Sequence, residues 1–281
     1  MADSFDLAAH VRSALAEDLG EAGDLTARYF LDPNIQSSAQ IVSREPGVLA
    51  GIDAAKEAFA QVDNTLDVEV FLNDGALLEA GTAVLRVTGT AASMVTAERT
   101  ALNYLQRLSG VATMTKHFVD AVAGTPARIL DTRKTTPGWR VLEKAAVLAG
   151  GGINHRMGLY DMVMVKDNHL LAAGSVAALQ NSINQLKADH PDVGVEIEVD
   201  RLDQLAEVLK LDGVQRVLLD NMSPDQLREA VSMNNGKLEL EASGGITESS
   251  IRYVAETGVD FISIGALTHS SPSLDLGFDF Q

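Results

Sequence analysis

The sequence predicts an α/β protein in which a small N-terminal α+β domain precedes a parallel barrel of alternating strands and helices. The first observation is a run of six short apolar stretches after Ala127, namely ARIL, DMVMV, GVEIEV, RVLLD, KLELEA and FISIGA, several of them separated by helical segments such as DQLAEVLK and PDQLREAVSM. Strands that alternate with helices imply a parallel sheet, and this regularity suggests a barrel, although six strands are fewer than the eight of a closed one. The second is that strand-like and helical segments before residue 110 come in mixed order without that repeat, as in a small α+β unit. The third is length, since 281 residues suffice for one large barrel or two domains with ample core.

Taken in order, residues 4–19 (SFDLAAHVRSALAEDL) have helical spacing in Phe5, Ala8, Val11, Leu15 and Leu19, with Ser4 placed to cap the helix. Gly20 and Gly23 loosen the chain before DLTARYF. SAQIVSREPGVLAG reads as strand and turn, IDAAKEAFAQV as a helix, DVEVFLNDG as an alternating strand turning at Asp74–Gly75, and TAVLRVTG as another strand. A helical pattern from about Ser93 to Ala123 is interrupted at Ser109–Gly110, which is therefore the expected domain junction, giving residues 1–109 and 110–269. The tail, 270–281, lacks the strand–helix pattern.

Composition excludes several classes of function. A net charge of -17 argues against nucleic acid or an anionic membrane surface as partner, so any anionic ligand must be drawn by a local cluster. With no cysteine there are no disulfides, thiolate zinc sites or cysteine nucleophiles. MADSFDLAAHVRSAL has two early aspartates and no continuous apolar segment, unlike a signal peptide, and no stretch approaches ~20 apolar residues, the length of a membrane span. A cytoplasmic protein is the expectation.

Such a cluster is found in residues 127–169. Here two apolar runs, read as buried strands, each end in charge: Asp131, Arg133 and Lys134 after the first, Lys166 and Asp167 after the second. WRVLEKAAVLA between them has helical spacing, entered after Pro137 and stopped by Gly150, Gly151 and Gly152. Seven cations (Arg128, Arg133, Lys134, Arg140, Lys144, Arg156, Lys166) face four acids (Asp131, Glu143, Asp161, Asp167), a local positive excess suited to a multiply charged anion. Each cation alone reads equally as a solvated loop residue. Met157, Met162 and Met164 read as core.

Catalytic groups of parallel barrels sit at the C-terminal strand ends, a rule that gathers Arg133, Lys134, Lys166, Glu198, Asp220, Ser243 and Gly265 on one rim. In VEIEV, Glu196 and Glu198 share a strand face, and in KLELEAS so do Glu239, Glu241 and Ser243. Carboxylates inside a barrel need cations: either a structural ion-pair ladder or, near the rim, Mg²⁺, which takes one or two carboxylates plus substrate phosphate oxygens. The loop ASGGIT, with Gly244 and Gly245 ahead of the helical TESSIRYVAE, can form an anion site from freed N–H groups and a helix N-terminus; with Gly265 it suits a phosphate. Tight turns needing glycine are the alternative.

DTRKTTPGWR, GGGINHR and the MVKDNH run resemble the signature of the quinolinate phosphoribosyltransferases, and AERTALNYLQRLSGVAT, VEIEVD, LLDN and LEASGGI extend the likeness in order across most of the chain. The resemblance implies an incomplete parallel α/β barrel after the N-terminal α+β domain, with the tail packed back on that domain. It implies phosphoribosyl transfer from phosphoribosyl pyrophosphate to quinolinate with loss of carbon dioxide. It also implies that Arg99, Arg133, Lys134, His155, Arg156 and Lys166 bind quinolinate, and that Lys134, Lys166, Glu198 and Asp220 are catalytic. Glu198 and Asp220 would stand beside Mg²⁺, and Ser243, Gly244, Gly245 and Gly265 would bind phosphate. Arg99, in SMVTAERTALNYL, would reach the site of a partner in a homodimer; on its own it reads as a surface arginine beside Glu98. Two other readings stay open: a barrel aldolase using Lys166 or Lys134 as Schiff-base nucleophile, and a catalytically silent phosphosugar-binding relative.

Overall fold

A computed structural model describes residues 5–166 and 176–281. Ser4, and Asp167, Asn168 and His169 of the MVKDNH run, lie outside them. The chain forms two compact units, one of residues up to Lys116 with Val141–Gly151 and Ser271–Gln281, the other of His117–Arg140 and Gly152–Ser270.

The first unit is built on a four-stranded antiparallel sheet of order β12-β1-β5-β3, with β1 Gln36–Ser43, β3 Asp67–Val70, β5 Ala83–Thr90 and β12 Leu276–Phe280. Alternation in β1 buries Ala39 and Ile41 on one face, to which β5 adds their pairing partners Val87 and Leu85. Burying each large aliphatic side chain contributes about 1.5–3 kcal/mol. The tail is thus a sheet strand, β12 on β1. A short ribbon pairs β2 (Gly47–Val48) with β4 (Leu77–Leu78). Helix α1 (Leu7–Leu19) is capped by Asp6, whose Oδ1 accepts the Ala9 N–H at 2.9 Å, so the cap lies two residues beyond the expected Ser4. DLTARYF forms α2 (Leu25–Phe30), capped by Asp24. Helix α3 (Ile52–Val62) has no capping side chain of its own; Asp74 accepts the Gly51 and Ile52 N–H groups at 3.0 and 3.1 Å.

The expected break at Ser109–Gly110 does not occur. Helix α4 runs unbroken from Ala91 to Ala121. Gly110 is there because a Cβ would strike the Pro272 carbonyl, and Ser109 because its buried hydroxyl accepts the Ala50 N–H at 3.0 Å. Both residues answer to packing rather than to a turn. Helix α5 (Arg140–Ala149) follows Pro137 as expected.

The second unit contains the six expected strands, β6 Arg128–Leu130, β7 Met162–Val165, β8 Gly194–Val199, β9 Arg216–Asp220, β10 Glu239–Ser243 and β11 Phe261–Ser263, all parallel in the order β6-β11-β10-β9-β8-β7. Among the described residues no ladder joins β6 to β7; a single bridge, Leu130 to Ile153, stands near the seam, so the barrel is incomplete. Ile129, Val195, Ile197, Val217, Leu219, Leu240 and Ile262 are buried. Strand β7 is an edge and only half-buried along its length, which corrects the expectation of a buried DMVMV and of Met162 and Met164 as deep core; Met157 is likewise half-buried. The helices are α6 Val176–Asp189, α7 Leu202–Val208, α8 Pro224–Asn234, α9 Ile251–Ala255 and α10 Ala266–His269. Among the described residues no helix is long and apolar enough to cross a membrane.

Candidate active site

Because the six strands run parallel, their C-terminal ends share one edge. Residues that follow or end them are Arg133 and Lys134 after β6, Lys166 after β7, Glu198 next to last in β8, Asp220 ending β9, Ser243 ending β10 with Gly244 and Gly245 after it, and Gly265 after β11. Lys166 Nζ lies 2.8 Å from Glu198 Oε2. The Lys134 stem lies against Gly265, where a Cβ would meet its Cδ, and the Lys134 carbonyl accepts the Thr268 hydroxyl at 2.8 Å. Burial, then the neighbouring charge of Glu198, push the Asp220 carboxyl above its usual range, against a hydrogen bond from Asn221 and the attraction of Lys166 and Lys134. Cations and carboxylates therefore act on one another across four strand ends.

Asn221 ties β9 to β10. It adopts a left-handed backbone (φ 54), its N–H donates to the Ser243 carbonyl at 2.9 Å, and its side-chain amide donates to Asp220 at 2.8 Å. Its amide oxygen occupies the space a Cβ on Gly244 would need, so the second strand end must carry glycine at that position, which also has φ +96. Helix α9 starts only at Ile251, after a turn in which the Thr247 N–H donates to Ser250 Oγ at 3.0 Å. The expected helix N-terminus therefore does not abut Gly244 and Gly245, and their own N–H groups carry any anion site there.

The seven-cation cluster is dispersed. Arg128 begins β6, at the opposite strand end, with its guanidinium 4.3 Å from the Phe261 ring centroid. Lys144 is buried in α5 and belongs to the first unit. Arg140 braces a loop, donating to Thr135 Oγ1 at 3.0 Å and to the Met157 carbonyl at 2.9 Å. Four cations remain on the rim side: Arg133, Lys134, Arg156 and Lys166. Burial, then the like charge of Arg133, pull the Arg156 guanidinium below its usual range. Arg156 also donates to the Met162 carbonyl at 3.1 Å, which aims it along β7. Arg99 lies in the first unit, on α4, 58% exposed and 4.0 Å from Glu98.

His155 is turned into the barrel. Its side chain is only 5% exposed, and Nε2 lies 3.0 Å from Glu196 and 3.4 Å from Glu241, both fully buried. Glu241 also pairs with Arg216 at 3.2 Å, and Arg216 with Glu239 at 2.9 Å. The ion-pair ladder expected as one reading of these glutamates is present. Burial opposes the imidazolium, yet the two carboxylates push His155 up to about 9. A contrary demand comes from the Arg156 N–H, which donates to Nδ1 at 2.7 Å and requires its lone pair. Two ionic charges outweigh one peptide dipole, so the upward direction stands. Glu196 moves up, through burial, and Glu241 down, held by His155 and Arg216 against its burial.

Two donor sets could hold a cation. The ligand atoms of His155, Glu196 and Glu241 lie within 4.8 Å of one another, but Arg216 and the imidazole already answer their charge. Glu198 and Asp220 suit a hard divalent ion better: both offer carboxylate oxygens at the rim, and the repulsion that raises Asp220 is what a cation would relieve.

The sequence reading gave no role to three residues of this site. Asp131, fully buried, accepts the His155 N–H at 2.8 Å; Arg216 anchors the ladder; Asn221 joins two loops. Asp131 opens the DTRK motif and Asn221 ends LLDN, so each stood within a recognised segment. Arg216 carried no signal, because its partners come from the neighbouring strand.

The quinolinate phosphoribosyl transferase N-terminal domain family matches residues 24–109 and the C-terminal domain family residues 111–279. Among curated proteins, a quinolinate phosphoribosyltransferase [decarboxylating] 1b of Nicotiana tabacum is 43% identical, covering 97% of this chain and 82% of its own. A probable nicotinate-nucleotide pyrophosphorylase [carboxylating] of Bacillus subtilis is 41% identical over 94% of this chain and 89% of its own. The solved nicotinate-nucleotide pyrophosphorylase of Francisella tularensis superposes with a TM-score of 0.91 at 38% identity, covering 98% of this chain and 96% of that one.

Proposed function

The chain belongs to the quinolinate phosphoribosyltransferase family, and from that premise we propose how its barrel rim performs the reaction. It is a pentosyltransferase of NAD biosynthesis: phosphoribosyl passes from phosphoribosyl pyrophosphate to the quinolinate nitrogen, pyrophosphate leaves, and loss of carbon dioxide gives nicotinate mononucleotide. The observation that carries the assignment of roles is the meeting of Arg133, Lys134, Arg156 and Lys166 with Glu198 and Asp220 at the C-terminal strand ends.

In this reading Arg133 and Arg156, whose like charges oppose one another, hold the two carboxylates of quinolinate, because a dianion relieves that repulsion. Lys134 and Lys166 contribute point charges on the ribosyl side, and His155 fixes the inner wall of the grip. Ser243, Gly244, Gly245 and Gly265 receive the phosphate through hydroxyl and backbone N–H groups. Glu198 and Asp220 would hold Mg²⁺, which when bound supplies stabilisation of the charge on departing pyrophosphate. No side chain need act as nucleophile; the chain positions two anions against one another. The Schiff-base reading is disfavoured at Lys166, whose amine is engaged in an ion pair with Glu198 at 2.8 Å. Arg99 would complete the quinolinate grip of a partner subunit in a two-fold dimer. A cytoplasmic location is part of this reading, and cell fractionation checks it.

Incubation with quinolinate, phosphoribosyl pyrophosphate and Mg²⁺ should yield nicotinate mononucleotide, followed by chromatography. Replacing quinolinate with nicotinate removes one carboxylate; a lost charge-assisted contact is worth roughly 1.5–3 kcal/mol, so kcat/KM should fall tens- to hundreds-fold. Comparable use of nicotinate would refute the role given to the paired arginines.

A further inference from the structure

Beneath the rim the ladder runs through Arg216, Glu241, His155 and Glu196, of which only His155 has a place in the quinolinate grip. Glu196 and Glu241 are fully buried, and a buried ion pair is often no more stabilising than well-packed apolar residues of the same volume. Stability alone is thus a poor reason for two carboxylates inside this barrel. Their geometry suggests another. Both converge on one atom, His155 Nε2, at 3.0 and 3.4 Å. On the other side of the ring, the Arg156 backbone nitrogen packs 2.7 Å from Nδ1, and the His155 backbone N–H is held by the buried carboxylate of Asp131 at 2.8 Å. Ring, peptide and the start of Arg156 are therefore fixed from three directions. Arg216, 3.2 Å from Glu241 and 3.9 Å from the Phe261 ring centroid, anchors the far end.

We propose that Glu196 and Glu241 are positioning residues for quinolinate: by clamping the His155 imidazole they set the direction from which Arg156 meets a substrate carboxylate. The inference rests on the quinolinate-binding role given above to Arg156. It assigns the two glutamates to one substrate only, since they act through His155 and Arg156, which the proposed function gives to quinolinate.

The test is steady-state kinetics of Glu196→Gln, which keeps the side-chain shape and removes the charge. KM for quinolinate should rise about tenfold, the low end of what losing the carboxylate partner of a metal-ligating histidine costs, while KM for phosphoribosyl pyrophosphate stays unchanged. Adding Glu196→Gln to His155→Ala should cost nothing further, because the glutamate acts through the ring. An unchanged quinolinate KM, equal changes for both substrates, or additive losses in the double variant would overturn the proposal. Glu241→Gln repeats the test through the other carboxylate. A measurement on the wild-type protein does not depend on any variant folding: the ring ¹⁵N resonances of His155 should move when quinolinate binds, and unmoved resonances overturn the inference. Failure of the wild-type enzyme to convert quinolinate would instead refute the underlying function.

Discussion

At Asp220 two effects disfavour the charged carboxylate, burial and the neighbouring Glu198. A folded-state pKa above the unfolded 3.8 means the unfolded chain gives up this proton first as pH rises. Without metal, Asp220 therefore costs stability, a cost that sets in as pH rises past 3.8 and is complete above the folded value. If Glu198 and Asp220 hold Mg²⁺, the ion should raise the melting temperature of the wild type, and Asp220→Asn should raise that of the metal-free protein at pH 7, abolish the Mg²⁺ effect and lower kcat about a hundredfold. Thermal shift with and without Mg²⁺ checks all but the last; equal stabilisation of both proteins by Mg²⁺ would remove Asp220 from the metal site. His155 has the opposite linkage. Its pKa is raised from 6.5 to about 9, so its contribution is fully present below pH 6.5 and is lost as pH rises through about 9. The stability difference between wild type and His155→Gln should therefore shrink between pH 7 and about pH 9; a constant difference would mean that the Arg156 N–H keeps the ring neutral. Lys166, Glu198 and Asp220 could be placed from sequence, since a strand's last residues are legible once the strand is. That His155 faces two glutamates was not legible, because the three come from different parts of the chain and only the curvature of the sheet brings them together.

Helix α4 marks where element-level reading fails. Glycine in a helix interior costs about 1 kcal/mol relative to alanine, so Ser109–Gly110 reads as a break. The helix continues because that residue must admit the Pro272 carbonyl. Gly110→Ala should consequently destabilise the protein, by about 1–3 kcal/mol as in other overpacked cores, even though propensity alone predicts a gain. Urea denaturation measures this, and a midpoint that rises would show that the tail yields to the added methyl. The six barrel strands were legible from their apolar runs, and the carboxylates of β8 and β10 from strict alternation. Burial of β7 was not, for an edge strand and an interior one carry the same letters when half their surface is covered by neighbours not yet known.

For the whole molecule, a net charge of -17 makes any local basic site a matter of arrangement. Counting seven cations along one stretch overstated the site, because proximity in sequence does not say which strand end a side chain occupies; four remain on the rim side. A fifth, Arg99, belongs to the first unit and is 58% exposed, with Glu98 as a distant partner at 4.0 Å, a pairing that contributes little at a surface. If a two-fold dimer brings Arg99 to the partner's quinolinate, each subunit gives one arginine and receives one. Arg99→Ala and Lys134→Ala should then each be nearly inactive alone. Mixed in equal amounts and allowed to exchange subunits, half of the dimers are heterodimers, and each heterodimer has one site lacking both groups and one lacking neither. By this symmetry about a quarter of wild-type activity should return. Exchange is followed independently by mass spectrometry of differently tagged subunits, so that silence is interpretable: heterodimers formed without recovered activity would place Arg99 in its own subunit's site or outside any site.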